Sequence, residues 1–350
     1  MARLSELKFA MGTSIFIASF IFGAFLIGIL YLFQFDLVTG LIIGLAGTGL
    51  FIVFQYLIGA VIITATTRLH YLKPGENPWF ETTVKEFTAK SNMPMARLAI
   101  VPNKTPNAFV FGRTSSSVTL ALHEGLLTSL NKDEVRSVIA HELGHIKHKD
   151  YIVMTLLSAL PLIAYIVAQT MFRAAMWGSY SRRRRDDGGN AGLALVAVGI
   201  VSFIVYIISF LSVMRLSRLR EHYADAYSAY VTGSPKSLQS ALSKITYGLS
   251  IAPPASSEAR AFYIEDPTIA KQEISTLMKK KQEYDLDKDG VLDERELQQA
   301  MEREAKSTWN QLNKLFATHP PTFKRILLLR EIEEEMKTGR YTTDRVYAHI

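Results

Sequence analysis

The 350-residue chain has no cysteine. That absence excludes disulfides and thiolate metal sites, so any bound metal would have to be held by histidine and carboxylate. It also suits a reducing compartment. Acidic residues are outnumbered, with 39 Lys and Arg against 32 Asp and Glu and a net charge of +7. A basic chain can serve nucleic acid or an anionic membrane surface. No nucleic-acid motif occurs and the apolar residues gather into long runs, so the expected partner is a lipid bilayer and not nucleic acid. The mean hydropathy of +0.14 averages those runs with polar stretches.

Four apolar runs, 11–33, 37–65, 151–176 and 191–213, approach or exceed the length of a membrane span. The first two, split by Gln34-Phe35-Asp36, read as a tight hairpin. The first is expected to be a span rather than a cleaved signal, being too long and lacking a small-residue cleavage site. Pro161 is expected to kink the third. The topology signals conflict. The first hairpin loop lacks Lys and Arg while Arg3, Lys8 and Arg68 flank its other side, which places the segment after residue 67 in the cytoplasm. Four full crossings would then put the basic loop Arg182-Arg183-Arg184-Arg185 outside. Either the first pair sets the orientation, or the third and fourth runs form a hairpin that does not fully cross.

Between the hairpins, segments 97–101, 108–111 and 117–121 alternate and are punctuated by Pro, Asn and Gly, which predicts three short strands. Next comes His141-Glu142-Leu143-Gly144-His145, of the form H-E-x-x-H. Asn131 and Glu134 predict a capping box, and Val135, Val138, Ile139 and Ile146 recur at helical spacing. On a helix His141 and His145 share one face and can reach one Zn²⁺, with Glu142 as general base for hydrolysis. Glu142 also shares the apolar stripe, where an ionised carboxylate is costly unless a charge compensates.

A third ligand must come from another element. Ser217-Arg218-Leu219-Arg220-Glu221-His222-Tyr223-Ala224-Asp225 supplies Glu221 and Asp225 on one helix face. Glu221 could bind the metal while Asp225 accepts the N–H of a ligand histidine. The alternative is a solvated face with Arg218 or Arg220 as helix partners. His148 lies two turns from His141, a rise of about 10 Å, and His222 adjoins Glu221, so neither is expected to be a ligand.

Together these motifs, with T-H-P-P-T-x-x-R-I at 318–326 and apolar hairpins before and between, resemble the HtpX group of membrane zinc metallopeptidases, a gluzincin family. The CaaX prenyl endopeptidases are more distant relatives. The likeness covers about 1–252 and about 309–330. It implies His141, His145 and Glu221 as zinc ligands, Glu142 as base, Asp225 behind a ligand, and His319 and Arg325 at the oxyanion of the tetrahedral intermediate. It also implies that Asn107, Ala108 and Phe109 belong to an edge strand on which an extended substrate lies.

Residues 253–308 depart from the family pattern. Within them 285–296 fits the twelve-residue EF-hand loop. Asp285, Asp287, Asp289 and Asp293 would supply carboxylates, Val291 its carbonyl and Glu296 both oxygens, while Gly290 permits the turn. Segments 274–284 and 293–306 read as its flanking helices, the first weakened by Lys279, Lys280 and Lys281. Calcium is therefore a second expected cofactor.

The expected architecture is a mainly α integral membrane protein with a zincin-like α+β protease domain, a small β-sheet and about four transmembrane helices. Its parts are a hairpin (1–66), a first protease segment (67–150), a second hairpin (151–213), the segment with the third ligand (214–252), an insert (253–308) and a last protease segment (309–350). The expected function is a zinc endopeptidase acting on membrane or misfolded proteins, multi-pass in the cell membrane with a cytoplasmic catalytic domain. The third apolar run begins six residues after His145, which suits such substrates. A prenyl-processing enzyme would need more spans. The alternative from another class is a non-proteolytic, calcium-responsive membrane adaptor with a structural zinc site.

Overall fold

The computed structural model describes residues 7–17, 20, 23, 25, 36–115, 117–181, 189–251, 264, 267–284, 286, 296, 299–300, 319–339, 341 and 346–347, and every structural statement concerns these. Contacts divide the chain into two units. One comprises 60–151 and 217–350 with the first seven residues, the other 8–59 and 152–216.

The first unit carries a mixed sheet. Strands β1 (His70–Tyr71), β2 (Arg97–Val101), β3 (Ala108–Phe111) and β4 (Thr119–His123) lie in the order β1-β2-β4-β3. The two central strands are parallel and each outer strand runs antiparallel to its neighbour. Strand alternation sorts the side chains onto two faces. Leu98, Ala108, Leu120 and Leu122 join the main core, while Ala99, Val101, Phe109, Phe111 and Ala121 form a second cluster with Ile63. The third strand starts two residues later than its pattern predicted. Thr114 and Ser117 close a turn first, the Ser117 hydroxyl accepting from the Thr114 N–H at 3.0 Å, and pairing begins beyond it.

An apolar helix α1 (Leu7–Ile17) and α2 (Leu37–Thr67) precede the sheet. Helix α3 (Pro78–Lys90) follows β1, with Asn77 as its N-cap and Pro78 at its first position. A short α4 (Glu124–Ser129) leads into α5 (Lys132–Lys147), which opens on the expected capping box. The Glu134 N–H bonds Asn131 Oδ1 at 2.9 Å, and the Asn131 N–H bonds Glu134 Oε2 at 2.8 Å. Helix α6 is Asp150–Ser181 and includes Pro161; α7 is Gly189–Thr232. The latter ends at Gly233, whose φ of +68° suits glycine and whose N–H reaches the carbonyl of Ala229 at 3.0 Å. Helices α8 (Pro235–Ile251) and α11 (Thr322–Lys337) pack in the main core, α8 through Leu238, Leu242 and Ile245 and α11 through Leu329 and Ile332.

In the insert, α9 (Pro267–Lys279) starts earlier than predicted, at a proline, and stops within the lysine cluster before α10 (Lys281–Tyr284). Ile274 and Tyr284 pack with Ala300, Phe323 and Ile326 in a small core of their own.

In the second unit, α6 and α7 touch where Gly199 faces the Phe172 ring and Tyr165 the Tyr206 ring. Ala164, Ala168 and Ser202 are buried, and a Cβ on Gly199 would come within 2.8 Å of the Phe172 ring. Small residues permit such close helix approach where solvent-driven burial is weak. Among the described residues two helices, Val38–Thr67 and Gly192–Thr232, are long and apolar enough to cross a membrane, with hydropathies of 2.1 and 2.7. Leu7–Ile17 and Leu160–Met176 are apolar but shorter. Two such helices therefore stand where four were expected. Part of the first run lies outside the described residues, and the helix of the third runs unbroken over Asp150–Ser181, so the two are a count of the described residues alone.

Candidate metal centre

The capping box fixes where α5 begins, and its apolar stripe buries Val135, Val138, Ile139 and Ile146. That rotation carries His141, Glu142 and His145 inward with the stripe, and all three are buried. The imidazoles stand edge to face with centroids 4.8 Å apart. Helix α7 crosses behind them, tied to α5 by the Ser228 hydroxyl donating to the Ser137 carbonyl at 2.7 Å.

Glu221 on α7 faces both rings. Its Oε2 lies 3.4 Å from His141 Nε2 and its Oε1 3.4 Å from His145 Nε2. A tetrahedral zinc ion with bonds of about 2.0–2.1 Å separates neighbouring donors by about 3.3 Å. Each histidine meets a different oxygen of the Glu221 carboxylate near that spacing, and one donor atom from each of the three side chains lies within 4.8 Å of the others, close enough to converge on one ion. A second observation fits a cation. Glu221 Oε2 is buried with no hydrogen-bond partner among the described residues. Such an orphaned group is costly unless something binds it. Imidazole with carboxylate is the donor set zinc accepts, and His141, His145 and Glu221 could hold such an ion.

The electrostatics agree. Burial works to lower the His141 pKa, but Asp225 and Glu221 beside the ring raise it to about 9. Burial works to raise Glu221, but His319 and His145 hold it well below the carboxylate range. The pocket thus favours positive charge. Glu142 is the exception. Burial pushes its carboxyl up, against the pull of His145 and His141. A base lifted this way is better matched to taking a proton near neutrality.

Behind the donors lie further carboxylates. Asp225 Oδ1 is 2.9 Å from His141 Nδ1. Arg325 grips Asp225 with two hydrogen bonds, Nε to Oδ2 at 2.9 Å and Nη2 to Oδ1 at 2.7 Å. Its Nη1 donates to the Ile264 carbonyl at 2.9 Å and stands 3.5 Å from Glu221 Oε2. This fork holds Asp225 at a pKa of about 2, overcoming burial. His319 Nδ1 is 3.3 Å from Glu221 Oε1. Asp150 carries no motif that marks it in the sequence. Its Oδ2 accepts from His145 Nδ1 at 2.7 Å, and its Oδ1 pairs with Arg220 Nε at 2.8 Å. Nothing in regular helical spacing places residue i+5 against residue i. The contact depends on Lys149, whose φ of 59° turns the chain between α5 and α6.

Strand β3 ends the sheet. Its pairing register joins Asn107 to His123, with the His123 N–H donating to the Asn107 carbonyl at 2.9 Å. Antiparallel alternation then aims the backbone groups of Ala108 and Val110 away from β4. Phe109 points into the second cluster, and the Asn107 side chain accepts from the Ile264 N–H at 2.9 Å. His148 donates to or accepts from the Tyr347 hydroxyl at 2.9 Å amid Tyr223 and Tyr227, away from the donor set. His222 is also outside it. In the EF-hand-like loop, Asp285, Asp287, Asp289, Gly290, Val291 and Asp293 lie outside the described residues. Glu296 is buried, its Oε1 accepting from the Leu286 N–H at 2.6 Å.

Two imidazoles and a carboxylate around one cation position, with a buried acid beside them, are the working parts of a metallopeptidase. Residues 74–333 match the model of Peptidase family M48, and the chain belongs to that family; it is a metalloprotease hydrolase. It is 34% identical over 296 residues to the Protease HtpX homolog of Aeropyrum pernix, covering 82% of this chain and 88% of that protein. The Methanothermobacter thermautotrophicus homolog is 37% identical over 257 residues, 71% of this chain and 90% of its own. The Thermococcus sibiricus homolog is 29% identical over 328 residues, 93% and 99% of the two chains. Among solved structures, Ste24p of S. mikatae aligns with 94% of this chain and 67% of its own, with a TM-score of 0.47 and 15% identity.

Proposed function

We propose that this chain is a multi-pass membrane zinc endopeptidase that cleaves membrane or misfolded proteins, with its site on the cytoplasmic side. The observation that carries the chemistry is Glu221 bridging the Nε2 atoms of both histidines at 3.4 Å. The apolar helices Val38–Thr67 and Gly192–Thr232 support the membrane setting. The charge asymmetry around the first hairpin supports the orientation.

When bound, zinc would supply a Lewis acid that polarises the scissile carbonyl and makes water more acidic. His141, His145 and Glu221 would hold it. Glu142 takes a proton from the attacking water and passes it to the leaving amine. His319 donates to the oxygen that gains charge; Arg325, expected there too, is fully buried with its fork on Asp225, and is read here as fixing Asp225 and so the ring of His141. An extended substrate pairs with the outward backbone groups of Ala108 and Val110, beside Asn107 and Phe109, which reads peptide backbone with little demand on sequence.

The test uses the purified full chain in detergent with an unfolded membrane protein as substrate. Glu142→Gln should lose about 10²–10⁴-fold in kcat while keeping one zinc per chain. Unchanged cleavage by Glu142→Gln, or a wild-type chain without zinc, rejects the peptidase mechanism. Absence of cysteine makes orientation testable by one added thiol. Glu124→Cys should react with an impermeant maleimide only from the cytoplasmic face; reaction from the opposite face rejects the orientation.

Calcium at 285–296 is part of the proposal, supported by the twelve-residue spacing. Calcium titration of wild type and Glu296→Gln should show one site lost in the variant. A wild-type chain that binds no calcium at millimolar concentration ends that part alone.

A further inference from the structure

Each candidate ligand histidine has a carboxylate at its Nδ1, and each carboxylate has its own arginine. At His141 the pair is Asp225 and Arg325. At His145 it is Asp150 and Arg220, with Nδ1–Oδ2 at 2.7 Å and Nε–Oδ1 at 2.8 Å. We propose that Asp150, clamped by Arg220, is the positioning residue for the metal ligand His145. This rests on the zinc-peptidase reading above and adds a group to it.

Asp150 is 1% exposed and Arg220 7%. A carboxylate so buried is retained only where it is paired, and here one oxygen accepts from His145 while the other stands in ion-pair contact with Arg220. By accepting the Nδ1–H it fixes the tautomer of His145, leaving the Nε2 lone pair toward Glu221 and the cation position. The local fold is shaped to deliver it. Helix α5 ends with the His148 N–H on the Gly144 carbonyl at 3.0 Å and the Lys149 N–H on the Ile146 carbonyl at 3.1 Å. Lys149 then adopts a left-handed φ of 59°, uncommon for a side chain with a Cβ. That turn sets the first residue of α6 against the His145 ring. Arg220 and Glu221 are consecutive on α7, so one helix supplies the third donor and, from the next position, the clamp on the carboxylate behind the second.

The test measures zinc affinity of the full chain in detergent by competition with a chromophoric chelator, together with the visible spectrum after cobalt loading. Asp150→Ala should bind zinc about 10–100-fold more weakly. Asp150→Asn keeps an acceptor for the Nδ1–H and should lose less, with Arg220→Gln between. At saturating zinc kcat should fall and KM stay near wild type. Zinc affinity and cobalt spectra equal to wild type in the variants overturn the proposal, even if apo-protein stability falls. If Asp150→Ala does not fold, Asp150→Asn decides by the same measurements. A wild-type chain that binds no zinc overturns the peptidase reading and this proposal together. Zinc-binding, active wild type with unaltered Asp150 variants overturns this proposal alone.

Discussion

Gly144 on α5 faces Ala224 on α7 so closely that a Cβ on Gly144 would stand 3.0 Å from the Ala224 Cα and 3.2 Å from Cδ1 of Tyr227. Gly144 lies between the two histidines in sequence, and Ala224 lies between Glu221 and Asp225. The missing Cβ therefore sets the helix separation at the level where donors from both helices converge.

Gly144→Ala should reveal this. Alanine favours the helix by about 0.8–1 kcal/mol over glycine, while overpacking against backbone costs roughly 1–3 kcal/mol. Net stability should change little and fall by at most about 2 kcal/mol. Zinc affinity should fall at least about tenfold, since a few tenths of an ångström at the crossing moves Glu221 from the imidazoles. Chelator competition and denaturant titration in detergent measure the two effects separately. Wild-type zinc affinity in Gly144→Ala would show that the close crossing does not set the donor spacing.

Arg325 is fully buried and forks onto Asp225. Arg325→Met strands that carboxylate and should destabilise the protein by about 3–5 kcal/mol. Arg325→Lys should recover only part, because an ammonium cannot span both oxygens. The double variant Arg325→Met/Asp225→Leu should regain stability without regaining zinc affinity, because no acceptor remains at His141 Nδ1. Denaturant midpoints of the three variants decide it, and a stable single Arg325→Met protein would contradict the pairing.

The donor set was legible because each motif sits on a regular helix. Spacing of four residues reports a shared face, so His141 with His145 and Glu221 with Asp225 could be paired from sequence alone. Their burial followed from the apolar stripe that carries Glu142. Asp150 was illegible for the same reason, since its contact depends on a left-handed turn at Lys149 that no periodicity announces. Strand β1 is two residues long and has no pattern to detect. Helix α3 did leave a signal in Asn77-Pro78, a capping residue followed by a proline suited to a helix start. The fusion of the fourth apolar run with the charged segment into one helix of 44 residues was hidden by the change in polarity, which sequence inspection takes as a boundary.

His123 supplies a pH dependence. It caps β4, buried, with its Nδ1–H donated to the Thr105 carbonyl at 2.9 Å. Burial lowers its pKa from 6.5 to about 4, against the smaller opposing pull of that bond. The folded chain thus keeps the ring neutral while the unfolded chain protonates it between these values. The unfolded state binds more protons in that window, so stability is full above pH 6.5 and declines as pH falls toward 4. The limiting slope for one such proton is about 1.4 kcal/mol per pH unit. His123→Asn keeps a donor for Thr105 and removes the titration, and should flatten the slope. His148, lowered to about 4 by burial, leaves a residual slope. Denaturant titrations between pH 4 and 7.5 test this; an equal slope in His123→Asn would refute the assignment.

His319 is buried, 3.3 Å from Glu221 at its nearest approach. Its Nδ1 faces the Glu221 carboxylate, while its Nε2 has no hydrogen-bond partner among the described residues. A substrate oxygen that gains charge during hydrolysis would provide one, and only in the transition state. Pro320 and Pro321 follow immediately and restrict the backbone, so the ring need not be ordered when substrate arrives. His319→Ala should therefore lower kcat by about 10²–10³-fold, with KM near wild type and one zinc per chain retained. A phosphonate peptide resembling the tetrahedral intermediate should lose affinity in parallel, while a substrate-like peptide should not. If instead zinc is lost, His319 is part of the cation site through Glu221. If kcat, phosphonate affinity and zinc content all stay at wild-type values, the ring does not act on the developing charge.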